Sequence, residues 1–516
     1  MSETLDHSLK KVAWGTGIAI IGITLGLLFN FIAKLIIARY GLEANYGMFS
    51  LALAILTFAM TLACLGLHLG ATRYIAYFRA KKDAAKVQAV ISLSLQLSTA
   101  ASLIIGIALF LSAEAIAVHI FNSPELAQFL RIFAIGTPLF TLICIIAAIF
   151  RGFDQIEPQT YFQYIMLNLL FTGFLLLIIA VGLPFITVIY AYLTALAITF
   201  VSIAIYATRK LPKPTVLIRG ANTAMGKELL LFSYPLLVMG LLSVLMLWTD
   251  TFILGYFKST EVVGIYNAAT PLAQCISQPL FALMLIYTPV VTGFYSQNLM
   301  ADLRRSYTIV TKWLAFITMP IFLVLCLYPG YVLNLLFGSA YIAAAPALRI
   351  LSVGFIINTL LGPSVATLIA LGKSRFIMWT ALAAAIINIA LNIALIPPLG
   401  IVGAAVASAS SLSLLAVVRV WRLYLLCRAQ PMSKNMLKPL VISVALTLLF
   451  QFIFGKLIFV TWWTLPLLFI LFYAIYGIAT VLSKSFDKED IVILLDIEKR
   501  SGINAAPIKK ILSKFI

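Results

Sequence analysis

VAWGTGIAIIGITLGLLFNFIAKLIIA, residues 12–38, runs for 27 residues with one charge, Lys34. As a helix rising 1.5 Å per residue it would reach about 40 Å, more than the roughly 30 Å of a bilayer's hydrocarbon core. The stretch therefore predicts a membrane-spanning helix. The rest of the chain repeats the pattern: of 516 residues 63% are hydrophobic and 10% charged, with a mean hydropathy of +1.09. These runs do not alternate every second residue, which excludes the strands of an outer-membrane barrel. The polar start MSETLDHSLKK precedes a run too long for a signal-peptide core, so the first helix is expected to remain as its own insertion signal.

Fourteen spans of this kind are expected, at 12–38, 46–67, 87–111, 129–150, 159–181, 185–207, 229–256, 265–292, 308–330, 345–371, 376–396, 400–421, 437–459 and 464–483. Charge placement supports the map. With both termini in the cytoplasm, 30 of the 36 Lys and Arg residues fall on the inner side. Only Arg39, Lys258 and Lys456 fall outside, and Lys34, Arg131 and Arg349 lie within spans. That asymmetry is the positive-inside pattern. It turns the net charge of +19 into a topology signal with attraction to anionic lipid, rather than a sign of nucleic-acid binding.

The fold carries an internal repeat. LRIFAIG (130–136) matches LRILSVG (348–354), and YGMFSLA (46–52) matches VGIYNAA (263–269); Gly152 with Gly372 and Asn168 with Asn388 are each 220 apart. Six spans per repeat is an even number, so both copies enter from the same side. The expectation is an all-α polytopic membrane protein of two parallel-repeat six-helix lobes around a central cavity, plus two extra C-terminal helices. The domains are read as an N-terminal lobe (1–207), a cytoplasmic linker (208–228), a C-terminal lobe (229–424), helices 13 and 14 (437–483) and a basic cytoplasmic tail (484–516). Within the tail, Ile508, Ile511, Leu512 and Phe515 follow helical spacing opposite lysines, which reads either as an interfacial helix or as a disordered basic end. Pro271, Pro279 and Pro289 in span 8 favour kinks.

The charges inside spans are the candidate site. A Lys, Arg or Asp at a helix centre costs roughly 2.5–3.5 kcal/mol on insertion scales. Lys34 lies about 7.5 Å along its helix from Arg39, and Asp250 about 9 Å from Tyr256, which puts both in the outer part of the bilayer. Arg131 and Arg349 open equivalent spans of the two lobes. Two readings stand: these groups snorkel to the interface or pair with each other, or three cations and one acid line a cavity suited to an anionic headgroup. Asn30, Asn168 and Asn388 could line it too, although interhelical hydrogen bonds are the commoner use of membrane asparagine. The pairs Gly22/Gly26 and Gly66/Gly70 read as close-packing faces. No phosphate loop, no HExxH and no His or Cys cluster with metal-ligand spacing occurs, so neither cofactor nor metal is expected.

The elements IARYGLEANYGMFSLA (37–52), LGLHLGATRYIA (65–76), DTFILGYFKSTEVVGIYNAATPLA (250–273), LFGSAYIAAAPALRILSVGF (336–355), ALGKSRF (370–376) and NIALNIALIPPLGIVGAAVASASS (388–411), in this order, resemble polysaccharide (oligosaccharidyl-lipid) flippases. That superfamily also holds the MATE drug exporters and the lipid II flippases. The resemblance covers roughly residues 8–483 and rests on overall pattern. It implies two lobes that alternate access to a central cavity, and transport rather than enzymatic chemistry. The implied substrate is a polyprenyl-pyrophosphate-linked oligosaccharide, carried from the cytoplasmic to the outer leaflet of the cell membrane. Lys34, Arg39, Arg131 and Arg349 are the cations available for the pyrophosphate or for sugar acids. Asp250 is the acid for coupling to a proton or sodium ion, unless it bridges to Lys34. Two other functions stay open: a MATE-like antiporter of drugs or metabolites, and a non-transporting scaffold for glycosyltransferases or a polymerase.

Overall fold

The computed structural model describes residues 2–212, 221–431, 438, 441–449 and 464–483, and no strand occurs among them. Residues 213–220 of the expected linker, most of span 13 and the whole tail lie outside the described residues. The chain divides into two compact units, with the boundary after Gly264.

The first unit holds α1 (Ser2–Ala63), α2 (Leu67–Ala80), α3 (Ala84–Ala115), α4 (Leu126–Gly152), α5 (Leu167–Val181), α6 (Thr187–Lys210) and α7 (Ala221–Phe257). α8 (Thr260–Gln274) crosses the boundary. The second unit continues with α9 (Gln278–Ser296), α10 (Met300–Leu327), α11 (Pro329–Leu336), α12 (Ala345–Leu361), α13 (Pro363–Ala370), α14 (Ser374–Leu399), α15 (Ile401–Cys427) and α16 (Thr464–Leu482). Helices dominate because hydrocarbon offers backbone N–H and C=O groups no partners but each other. Among the described residues ten helices are long and apolar enough to cross a membrane, or eleven if one bent pair counts as a single span. Gly22–Ala80 passes as one of the ten although it contains two expected spans. Those two meet at a kink at Leu42, whose φ of 57° is unfavourable for a branched side chain and breaks the helical run.

The polarity of α3 shows how the unit meets lipid. Ser94, Ser98 and Ser102, one turn apart, are fully buried, whereas Ile104 and Leu111 are 69% and 76% exposed. A soluble helix would reverse this. Facing acyl chains costs leucine nothing, while small and hydroxylated residues let helices approach and hydrogen-bond. An aromatic knot centres on Phe49 of α1, which lies 5.9 Å from Phe133 of α4, 6.1 Å from Phe171 of α5 and 6.3 Å from Tyr192 of α6, ring centre to ring centre.

Glycines set the closest crossings. A Cβ on Gly26 would lie 2.7 Å from the Tyr164 carbonyl oxygen, and one on Gly22 would collide with Thr160. A Cβ on Gly66 or Gly70 would lie 2.2 Å from an oxygen of Ser233. Both small-residue pairs are thus packing faces, the first against the π-helical segment Gln159–Met166 and the second against α7. The repeat-equivalent glycines Gly47 and Gly264 meet each other: each one's added Cβ falls within 3.0 Å of the other's backbone nitrogen.

Span 7, expected in the second lobe, falls with the first unit because α7 packs against α1, α2 and α3. The compact-unit boundary is therefore Gly264 rather than the 208–228 segment. Lys312, counted with a cytoplasmic loop, lies well inside α10 and is only 2% exposed. The run from Met300 continues as helix ahead of the apolar core, so hydropathy placed its start too late.

The second unit is joined by small residues and hydroxyls. Gly354 of α12 abuts Ala409 of α15, Ser277 bonds Thr359 at 2.9 Å, Tyr287 bonds Thr367 at 2.7 Å, and the Tyr473 hydroxyl of α16 donates to the Ile317 carbonyl of α10 at 2.8 Å. Span 8 is broken at Cys275–Ser277 and bends by 46° between Thr260–Met284 and Ile286–Ser296. Pro289 removes the hydrogen bond to the carbonyl four residues earlier, at 285, where the bend falls. Span 2 ends in a break of its own, where Gly66 takes φ 71° ahead of α2.

Candidate functional site

Lys34 is half-buried on α1, flanked by Ala33, Ile37 and Ala38, each 2% exposed or less. One turn earlier, Asn30 donates its Nδ2 to Asn168 Oδ1 at 3.3 Å; Asn168 donates to the Tyr164 carbonyl at 2.7 Å, and Thr172 to the Phe29 carbonyl at 3.2 Å. Gly22 and Gly26 bring α1 near enough to build this ladder. Lys34 follows Asn30 by four residues, on the same helix face. Arg39, a turn and a half beyond, is exposed. Asp250 is half-buried on α7 between the buried Thr249 and Thr251. Lys34, Asn30, Asn168, Arg39 and Asp250 all belong to the first unit.

The repeat-related arginines have unlike surroundings. Arg131 is exposed and pairs with Glu114 of α3 at 2.9 Å. Arg349 is exposed in the second unit and donates its Nε to the carbonyl of Cys326 at 2.9 Å, near the C-terminus of α10, where unpaired carbonyls attract cations. The asparagines diverge as well. Asn388 is 4% exposed and donates to Ser408 and Ser411 of α15 at 3.1 and 3.2 Å, and it accepts from Asn392 at 3.2 Å. It joins two helices of the second unit, whereas Asn168 joins α5 to α1.

Arg131 and Glu114 also border a cleft of about 620 Å³ in the first unit. Its other polar walls are Asn45, Glu125 and Gln128, with Phe129 and Phe185 beside them. The cleft opens at the end of the unit where α3 stops and α4 and α6 begin, opposite the basic loops. The sequence does not mark Glu114, because an acid 17 residues from its partner leaves no periodic signal.

At the basic end, Arg151 of α4 is half-buried and donates to Gln159 Oε1 and to the His68 carbonyl, each at 3.3 Å. Gln159 in turn donates to Gln163 at 3.1 Å, and Thr72 bonds the carbonyls of His68 and Ala148 at 2.9 and 2.8 Å. Arg151 Nε and His68 Nδ1 are buried without a hydrogen-bond partner. Counting Arg151 only as a topology charge missed this cluster. The available signal was its asymmetry: the position 220 residues later is Leu371.

Comparison with known proteins adds the following. The family model described as "Polysaccharide biosynthesis protein" matches residues 12–285, and the MatE model matches residues 235–394. An uncharacterized membrane protein of Methanocaldococcus jannaschii is 27% identical over 217 residues, covering 42% of this chain and 43% of that protein. The probable flippase AglR of Haloferax volcanii is 29% identical over 207 residues, 37% of this chain and 39% of that protein. The match thus spans less than half the length of either relative. Among solved structures, the lipid II flippase MurJ in an inward closed conformation superposes with a TM-score of 0.72 over 89% of this chain and 97% of that one, at 14% identity. That likeness bears on the fold alone.

Proposed function

Because the chain belongs to the polysaccharide biosynthesis protein family, whose model matches more than half of it, we propose that it is a flippase for a lipid-linked oligosaccharide. The substrate would be a polyprenyl-pyrophosphate-linked glycan, moved from the cytoplasmic to the outer leaflet of the cell membrane by alternating access of two lobes around a central cavity. The family match carries this reading. The positive-inside charge pattern supports cytoplasmic termini.

Within that reading Lys34 is the principal ligand of the anionic headgroup. It sits at the end of the Asn30–Asn168 ladder, in an apolar setting that strengthens attraction to a diphosphate. Arg39 is its nearest cationic neighbour in sequence. Arg131 and Arg349 are already engaged, by a carboxylate and by a helix-end carbonyl, and stand outside the proposed headgroup site. Asp250 is the acid through which a proton or sodium gradient would act. Assembly with glycosyltransferases or a polymerase belongs to the same proposal.

The test is reconstitution of the full chain into vesicles with a fluorescent polyprenyl-pyrophosphate oligosaccharide, scoring exposure in each leaflet with and without ion gradients. Wild type should translocate the lipid. Lys34→Ala, inserted normally, should lose about tenfold in rate, the effect of one charge-assisted contact, and Lys34→Arg should retain most of it. Undiminished rates in Lys34→Ala would overturn the role of Lys34. The MatE match favours a second reading, an ion-coupled antiporter of small molecules. Gradient-driven efflux of a lipophilic cation, with no lipid movement, would establish that one instead.

A further inference from the structure

The cleft bordered by Arg131 and Glu114 has a composition that points to its ligand. Two carboxylates (Glu114, Glu125), two amides (Asn45, Gln128) and one guanidinium surround it, and Phe129 and Phe185 form its apolar side, their rings 6.2 Å apart. We propose that this cleft binds the neutral sugar units of the substrate, separately from any site for its diphosphate. The inference rests on the flippase reading for why a sugar should be there, and on the cleft for where.

The chemistry excludes the alternatives in turn. The charged side chains bordering the cleft sum to one net negative charge, with the only guanidinium already bound to Glu114 at 2.9 Å, so a diphosphate would be repelled. A cation would find two carboxylates, one of them occupied, short of the oxygen cage that hard cations require. An acyl chain would take water from the side chains of Asn45, Glu125 and Gln128 and desolvate the Arg131–Glu114 pair. A pyranose suits all of them. Each hydroxyl both donates and accepts, so carboxylates accept from it, a guanidinium donates to it, and the amides of Asn45 and Gln128 do both. The C–H faces of the ring are apolar and pack on aromatic rings. The volume, about 620 Å³, falls in the range of sites that enclose a small organic ligand, here a short saccharide.

The Arg131–Glu114 pair does not require the cleft to be merely structural. Its side chains are 46% and 72% exposed, a setting in which water screens an ion pair and leaves it weak. Either partner can turn to a ligand at little cost to the fold. The cleft also lies at the end opposite the basic loops, which positive-inside topology puts on the outer side. A glycan arriving in the outer leaflet would meet it there.

The experiment is saturation-transfer NMR on the full chain in lipid nanodiscs, free of glycosidic detergent, with chitobiose, cellobiose and maltose as probes and inorganic pyrophosphate as competitor. Transfer to pyranose protons is expected in wild type. It should weaken about tenfold in Gln128→Ala and in Asn45→Ala/Glu125→Gln, the loss of one or two hydrogen bonds to ligand. These positions are at the rim, so unchanged melting in the same variants serves as the folding control. Absence of transfer from all three disaccharides, equal transfer in the variants, or displacement by pyrophosphate would each overturn the proposal. Translocation in the vesicle assay without saccharide binding would sink this inference and leave the flippase reading intact. Saccharide binding without translocation would do the reverse.

Discussion

Three residues show how one residue type takes different work from its surroundings. Arg131 meets a carboxylate, Arg349 a helix-end carbonyl, and Arg151 a carbonyl and an amide in a half-buried pocket with its Nε left over. Arg151 joins α4 to the chain just after the Gly66 break and to the π-helical segment, so it fastens three pieces of irregular or bent helix. Removing it takes the donor from Gln159 Oε1 and one of two side-chain donors from the His68 carbonyl, which keeps Thr72. Arg151→Ala should lower stability by about 1–3 kcal/mol. Arg151→Lys should recover little of that, since a single ammonium cannot reproduce the planar fork that reaches two acceptors. Thermal unfolding of both variants in detergent is the check, and melting like wild type in both would show that the cluster is not structural.

Whole elements are held by how closely backbones approach. The second half of α1 and the start of α8 cross at Gly47 and Gly264. Here a Cβ would lie 1.7 Å from the Thr260 carbonyl oxygen in one direction and 1.9 Å from that of Glu43 in the other. Both obstacles are backbone atoms, which cannot rotate away. Gly47→Ala and Gly264→Ala should each cost more than the ~1–3 kcal/mol usual for overpacking. Gly293 of α9 has nothing within 4 Å of its added Cβ, so Gly293→Ala is the silent control. Size-exclusion profiles and melting of the three variants separate the cases. A Gly47→Ala protein as stable as Gly293→Ala would mean that the crossing is looser than its geometry.

At the scale of the molecule, the topology makes a direct prediction. Lys86 lies at the basic end, in the first turn of α3, and Lys258 between α7 and α8. In a background with Cys64, Cys144, Cys275, Cys326 and Cys427 replaced, Lys86→Cys should label only from the cytoplasmic side and Lys258→Cys only from outside. Labelling of both from one side would break the span map, because seven spans run on either side of Lys258 if it is right. The same map puts the Asn45–Arg131 cleft at the outer end of the first unit, so this experiment also tests where a bound sugar would be held.

Hydropathy and charge asymmetry determined by themselves that the chain is helical and crosses a membrane many times, since both follow from local composition and the cost of bare backbone in hydrocarbon. Gly22/Gly26 and Gly66/Gly70 were legible as packing faces for the same reason: spacing alone puts small residues on one side of a helix. Partners were not legible. Glu114 finds Arg131, Asn388 finds Ser408 and Ser411, and Arg151 finds His68 only once separate helices come together. The assignment of α7 to the first unit and the burial of Lys312 were likewise decided by packing. A side chain's charge is written in the sequence, but the group that answers it lies tens of residues away and is chosen by how the helices cross.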